Sequence, residues 1–242
     1  MIVTANIVKI IVMKLNFKFP VPRVKICCIS STDEALMAIR SGADALGLVS
    51  QMPSGPGVIS EERIAEISAV IPPGVTSVLL TSNQSAEQII SQHHRCRTNA
   101  IQICDRLIHG NYNELRQSLP GISLIQVIHV TGEESYHEAS KLASEVDALL
   151  LDSGNRSAGR IELGGTGRTH NWTISRRICQ NVDTPVFLAG GLNPDNVREA
   201  IDTVRPFAVD VCSGVRTDGT LDKVRLKSFM DQVKDQADKN TD

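Results

Sequence analysis

Lys25, Cys27 and Cys28 fall together in the run Val24-Lys25-Ile26-Cys27-Cys28, the first place in the chain where side chains could do chemistry. Alternation along a strand puts Lys25 and Cys27 on one face and Val24 and Ile26 on the other. An ammonium beside a thiol favours the thiolate, whose free pKa is about 8.5, so Cys27 is a candidate base. The same residues also suit a plain core, with Cys27 a small buried residue and Lys25 a paired internal charge. Asp152 ends the apolar run Ala148-Leu149-Leu150-Leu151 and precedes a loop rich in Gly and Ser. A carboxyl group there acts as an acid or base, or simply closes the strand with a turn. Asp210 alternates with Cys212, and a charge within a strand needs a partner, for which Lys25 is suited. Gly190-Gly191 and Ser213-Gly214-Val215 offer bare backbone amides that could cradle a phosphate, or merely form tight turns.

Something must bring these scattered positions together. From Arg23 onward, β-branched runs at 23–27, 45–49, 76–80, 100–104, 123–130, 147–152, 185–189 and 207–212 read as strands. Helices are expected between them: one opening at Ser31 or Thr32, then 60–71, 85–94, 113–119, 133–145, 172–179, 194–201 and 221–236. Strands that are apolar on both faces and separated by helices imply a parallel sheet covered by helices. Eight such pairs predict an α/β fold, a single (β/α)8 TIM barrel, in preference to an open doubly wound sheet. The dinucleotide fingerprint fails, because His170 stands where the third glycine after Gly165 and Gly167 is needed, and no P-loop is present. In a barrel of this kind chemistry sits at the C-terminal strand ends, and the loops after strands seven and eight commonly hold phosphate. The groups named above all lie at or beside such ends.

The organisation expected is an N-terminal extension over 1–22, a barrel domain over 23–237 and a short tail over 238–242. The extension is apolar but broken by Lys9, Lys14 and Lys18, with no small-residue cleavage site after it. It reads as a disordered segment or as sequence ahead of a start at Met13. Lys plus Arg number 25 and Asp plus Glu 27, a net charge of −2 that gives no basic footprint for nucleic acid or for a membrane surface. No apolar run approaches the roughly 18 residues of a spanning helix. The six cysteines form no Cys-x-x-Cys pair, so they are expected to be reduced thiols in a cytoplasmic protein, with no metal bound. The vicinal Cys27-Cys28 pair is a point open to oxidation.

Several segments together resemble phosphoribosylanthranilate isomerase of tryptophan biosynthesis: VKICCIS (24–30), SGADALGLV (41–49), NAIQ (99–102), LLLD (149–152), GGTGRTHNW (164–172), LAGGLNPDNVREAI (188–201) and RPFAVDVCSGVRTDG (205–219). The likeness runs in order from about Arg23 to Phe229. It implies a (β/α)8 barrel that carries out an Amadori rearrangement without a cofactor, on a small phosphosugar, as a monomer or homodimer. By motif, Cys27 would be the general base and Asp152 the general acid. The amides of Gly190, Gly191, Ser213 and Gly214 would hold the 5-phosphate, and Lys25, Gln102 and Asp210 would complete the substrate site.

The chain also departs from that pattern. Cys28 replaces a usual Gly, Gly57 falls where the second loop usually carries a basic residue for the anthranilate carboxylate, and Cys104-Asp105 replaces His-Gly. His170-Asn171-Trp172 replaces Phe-Asp-Trp, and Cys212 replaces Ser. A lost charge-assisted contact costs about 1.5–3 kcal/mol. Arg160, Arg168 or Arg216 are the candidates to replace it. Two other readings stay open: a divergent paralogue isomerising another aminated phosphosugar, and a non-catalytic phosphosugar-binding barrel.

Overall fold

The computed structural model describes residues 21–153 and 170–234. Positions 1–20, 154–169 and 235–242 lie outside them. These include most of the expected extension, the whole of the expected tail, Arg160, Arg168, Gly165 and Gly167.

Eight parallel strands close into one barrel, β1 (Arg23–Ile26), β2 (Ala45–Val49), β3 (Thr76–Thr81), β4 (Ala100–Ile103), β5 (Ser123–His129), β6 (Ala148–Asp152), β7 (Val186–Leu188) and β8 (Ala208–Val211). The barrel closes where β8 pairs with β1, in a register that sets Lys25 beside Asp210. The helices α1 (Thr32–Arg40), α2 (Glu61–Val70), α3 (Ala86–Cys96), α4 (Tyr112–Ser118), α5 (Glu133–Leu142), α6 (Trp172–Asn181), α7 (Val197–Val204) and α8 (Lys223–Lys234) follow the strands in turn.

Local chemistry sets the helix starts. The Ser31, Ser60, Asn111 and Asn171 side chains each accept a hydrogen bond from an amide in the first turn they precede, which satisfies a donor the helix leaves unpaired. Helix α7 begins at Val197, three residues later than the expected Pro194, because Asn193 and Asn196 first fold the chain into a turn: the Asn193 N–H donates to the Asn196 side chain at 2.9 Å. Sequence periodicity also missed the segment after β8. The chain makes a 3-10 turn there at Ser213–Val215 and then a two-stranded ribbon, β9 (Arg216–Thr217) with β10 (Thr220–Leu221).

Two apolar clusters result from the strand period of two. Val24, Ile26, Leu46, Leu48 and Ile101 face outward into the layer between sheet and helices. Cys27, Ala45, Val78, Ala100, Cys104 and Leu150 face inward and fill the barrel. The inner set is mostly small, which leaves room for polar groups above it at the C-terminal strand ends. Among the described residues no helix is long and apolar enough to cross a membrane.

Candidate active site

The floor of the site is an ion pair. Lys25 is fully buried and donates from Nζ to Asp210 Oδ1 at 2.9 Å across the β1–β8 seam. Burial pulls the lysine down, but the Asp210 carboxylate and the neighbouring Cys27 thiol more than reverse this and hold it charged. A buried ammonium without its partner would be far more costly than the pair, so the two charges hold each other in place. Lys25 does not reach the cavity surface. It underlies the place where substrate contact was expected, whereas Asp210 and Gln102 line the cavity. Gln102 donates to Cys104 Sγ at 3.6 Å, and its buried carbonyl oxygen has no partner among the described residues.

Cys27 stands directly after β1, 6% exposed, and lines the same cavity. The expectation that Lys25 would favour its thiolate is corrected by the balance of forces. Burial pushes the thiol up to about 11; Lys25 pulls it down but Asp210, the lysine's own counter-ion, opposes that pull. Asp152 at the end of β6 also opens into the cavity. Burial lifts its carboxyl to about 6, against the Ser153 N–H, which donates to Oδ1 at 2.7 Å. The cavity therefore holds a thiol that is hard to ionise and a carboxylic acid that keeps its proton close to neutral pH.

Gly190 and Gly191, after β7, and Ser213, after β8, form the adjoining wall. Both glycines have positive φ, 83° and 66°, a conformation that favours glycine. A Cβ at Gly190 would also lie 2.8 Å from the Ser153 N, so the β7 loop packs against the residue after Asp152. Gly214 supports the wall from behind: a side chain there would collide with the Leu192 carbonyl.

Two contacts that matter to Cys27 went unrecognised in the sequence. Gly47 lies in the middle of β2, and a Cβ there would sit 2.8 Å from Cys27 Sγ and 3.1 Å from Lys25 Nζ. A glycine within a strand is the available signal for such a close approach. Arg216 was one of three candidates to replace the missing basic contact to an aromatic carboxylate. Instead its side chain is enclosed, paired with Glu34 at 2.8 Å, and donates to the Cys27 carbonyl at 3.2 Å and the Cys28 carbonyl at 2.6 Å. It holds the backbone of the thiol-bearing segment. No arginine or lysine among the described residues lines the cavity, and the other two candidates, Arg160 and Arg168, lie outside them.

The expectation of reduced thiols is also corrected at one pair. Cys28 and Cys212 form a disulfide, while Cys27, Cys96, Cys104 and Cys179 are free. Among the described residues no group of three or more His, Cys, Asp or Glu side chains is arranged to hold a metal ion.

A closed (β/α)8 barrel whose C-terminal mouth gathers a thiol, an acid of raised pKa and two glycine-rich loops defines an enzyme-type barrel of the phosphosugar-handling class. The family model described as N-(5'phosphoribosyl)anthranilate (PRA) isomerase matches residues 24–232. The N-(5'-phosphoribosyl)anthranilate isomerase of Methanocella arvoryzae is 36% identical over 218 residues, covering 88% of this chain and 98% of the relative. Among solved structures, the phosphoribosyl anthranilate isomerase of Thermotoga maritima superposes with a TM-score of 0.74 at 34% identity, covering 88% of this chain and 99% of that one. A second solved isomerase, in complex with reduced 1-(o-carboxyphenylamino)-1-deoxyribulose 5-phosphate, gives 0.70 at 32% identity over the same shares. The chain belongs to the N-(5'-phosphoribosyl)anthranilate isomerase family.

Proposed function

We propose that this chain converts N-(5'-phosphoribosyl)anthranilate to 1-(2-carboxyphenylamino)-1-deoxyribulose 5-phosphate, with Asp152 as general acid and Cys27 as general base. The observation that carries the reading is the convergence, in one cavity, of a thiol after β1 and a carboxylic acid of pKa about 6 at the end of β6, beside the Gly190-Gly191 and Ser213 loops. Asp152 gives its proton to the ribose ring oxygen, and the C1–O bond breaks to leave a protonated Schiff base between C1 and the anthranilate nitrogen. The Cys27 thiolate then takes the proton from C2, which yields an enolamine that tautomerises to the ketose. The two protons move at different atoms, so an acid and a base on separate strands can serve both steps.

The pKa values suit these duties. At pH 7 roughly a tenth of an acid with pKa near 6 remains protonated, enough to donate. A thiol near 11 is rarely ionised, but its thiolate is the stronger base for a carbon-bound proton. The loop amides after β7 and β8 anchor the 5-phosphate, and Gln102 and Asp210 contact the rest of the substrate. The chain acts as a monomer or homodimer. Its isomerase reading is tested by expression in a tryptophan auxotroph lacking this enzyme. Growth without tryptophan is expected, and failure to rescue with folded protein present would reject it.

A second reading has a specific observation behind it. With Gly57 in the second loop and no basic side chain among the described cavity residues, a different aminated phosphosugar could be the substrate. Competition assays decide this: if an analogue without the aromatic carboxylate reacts as fast as the carboxylated substrate, the carboxylate is not recognised and the paralogue reading wins.

Gly47 supplies a sharper check on the base. Gly47→Ala is expected to leave the barrel folded, since β2 pairs on both sides through its backbone. The added methyl group must displace the Cys27 sulfur. The same methyl also lies 3.2 Å from the Cys27 Cα, an overpacking that costs about 1–3 kcal/mol and leaves the barrel folded at about 25 °C. Misplacing a reacting group by about 1 Å costs on the order of 10²-fold, so steady-state kcat/KM should fall by about that factor while the protein remains folded. Unaltered kinetics would mean that the thiol's position is irrelevant to turnover.

A further inference from the structure

Cys28, Gly57 and Cys212 each depart from the pattern of the family, and in the folded chain they meet. Cys28 and Cys212, separated by 184 positions in the sequence, come to a Cα–Cα distance of 5.9 Å, within the range a disulfide spans. Cys28 adopts φ 62°, a left-handed conformation that costs a non-glycine residue strain. The second loop packs on its side chain: a Cβ at Gly57, itself at φ +80°, would lie 2.5 Å from Cys28 Cβ and 3.0 Å from its Cα. A side chain at 57 and a side chain at 28 thus exclude each other. The chain carries the cysteine, accepts backbone strain for it, and has in return a covalent partner across the β1–β8 seam.

We infer that Cys28 and Cys212 are a reversible dithiol–disulfide site, oxidised by small-molecule disulfides and reduced by dithiols, that staples the segment after Cys27 to the loop carrying Ser213. Position supports this. The bond joins the first and last strands of the barrel at their C-terminal ends, and both cysteines line the cavity. Cys212 is partly exposed and Cys28 is buried, which sets the order of events. The Cys212 thiolate attacks one sulfur of the small disulfide and releases one thiol. The Cys28 thiol then attacks the Cys212 sulfur of the mixed disulfide, loses its proton and releases the second thiol. Two electrons and two protons pass from the cysteines to the small disulfide. A dithiol reverses the sequence by becoming a cyclic or intramolecular disulfide itself. Cys27 stays outside the exchange: it is a free thiol beside the Cys28–Cys212 pair, and burial pushes it up to about 11.

The full chain equilibrated with oxidised glutathione, alkylated and digested without reductant tests this directly. A Cys28–Cys212 cross-linked peptide is expected, with the buried Cys27, Cys96 and Cys104 alkylated only after denaturation and the half-buried Cys179 alkylated as a free thiol. Free Cys28 and Cys212 in the folded oxidised chain, or a Cys27–Cys28 link in their place, would overturn the inference. The consequence is read with inorganic phosphate as the probe ligand, independently of any isomerase activity. Dithiothreitol should lower the melting temperature by several degrees and weaken phosphate binding several-fold, and reoxidation should restore both. Cys28→Gly, which suits the left-handed backbone, and Cys212→Ser should each abolish this redox response. A response that persists in either variant assigns it to other thiols, and no response in the parent chain rejects the staple.

Discussion

Replacing Cys27 with alanine is expected to lower kcat/KM by about 10²–10⁴-fold, the usual share of a positioned base, in a chain that still folds. The fold survives because only a small buried side chain is lost while the Lys25–Asp210 pair beneath it stays whole. Serine should be no better than alanine, since its hydroxyl does not ionise in this range. The pH profile carries the diagnosis. With the proposed roles, turnover needs the thiolate, from a group near 11, together with the neutral acid, from a group near 6. Below pH about 6 the acid is protonated and the thiolate fraction rises with pH, so kcat/KM rises. Between about 6 and 11 the gain in thiolate cancels the loss of acid, and the profile is level; above 11 it falls. In Cys27→Ala only the acid remains, so residual activity should decline steadily above pH 6. A Cys27→Ala protein with parental kcat/KM removes the base from the mechanism.

Asp152→Asn should be nearly as damaging, by about 10²–10⁴-fold, and should carry the opposite pH signature. With no acid to titrate, residual activity follows the thiolate alone and climbs tenfold per pH unit across the neutral range. The same variant should be more stable than the parent at pH 7.5. Asp152's carboxyl is lifted from 3.8 to about 6 on folding, so its favourable contribution is complete below the unfolded value and is lost as pH rises through 6. Asparagine escapes that loss and keeps an oxygen for the Ser153 N–H. At about 1.4 kcal/mol per unit, the stabilisation is about 1–3 kcal/mol. It should vanish below pH 4, where both states bind the proton. Thermal unfolding at pH 7.5 and at pH 4 measures it. A variant destabilised at both, or a normal kcat, contradicts the acid role and its physical origin.

The eight strands, their parallel order and the gathering of the candidate groups at their C-terminal ends were legible in the sequence, because each rests on local pattern. β-branched runs, helix starts such as Ser60-Glu61-Glu62 and stops such as Pro72-Pro73 mark the elements, and the period of two assigns Lys25 and Cys27 to the inner face. The motifs likewise carried the family. What the sequence could not state was every outcome that depends on contacts between distant positions. Whether Lys25 lowers the Cys27 thiol depends on Asp210 and on burial, and burial wins. Arg216, a candidate for a substrate carboxylate by its place in the sequence, is engaged by Glu34, 182 positions away. Gly47 matters only because Cys27 and Lys25 lie against it, and Cys28 finds Cys212 only when β8 closes on β1. Periodicity is a property of neighbours along the chain, whereas charge balance, enclosure and cross-linking are properties of neighbours in space. Closure of the barrel was therefore what decided which of the candidate groups share a site and in what protonation state they wait there.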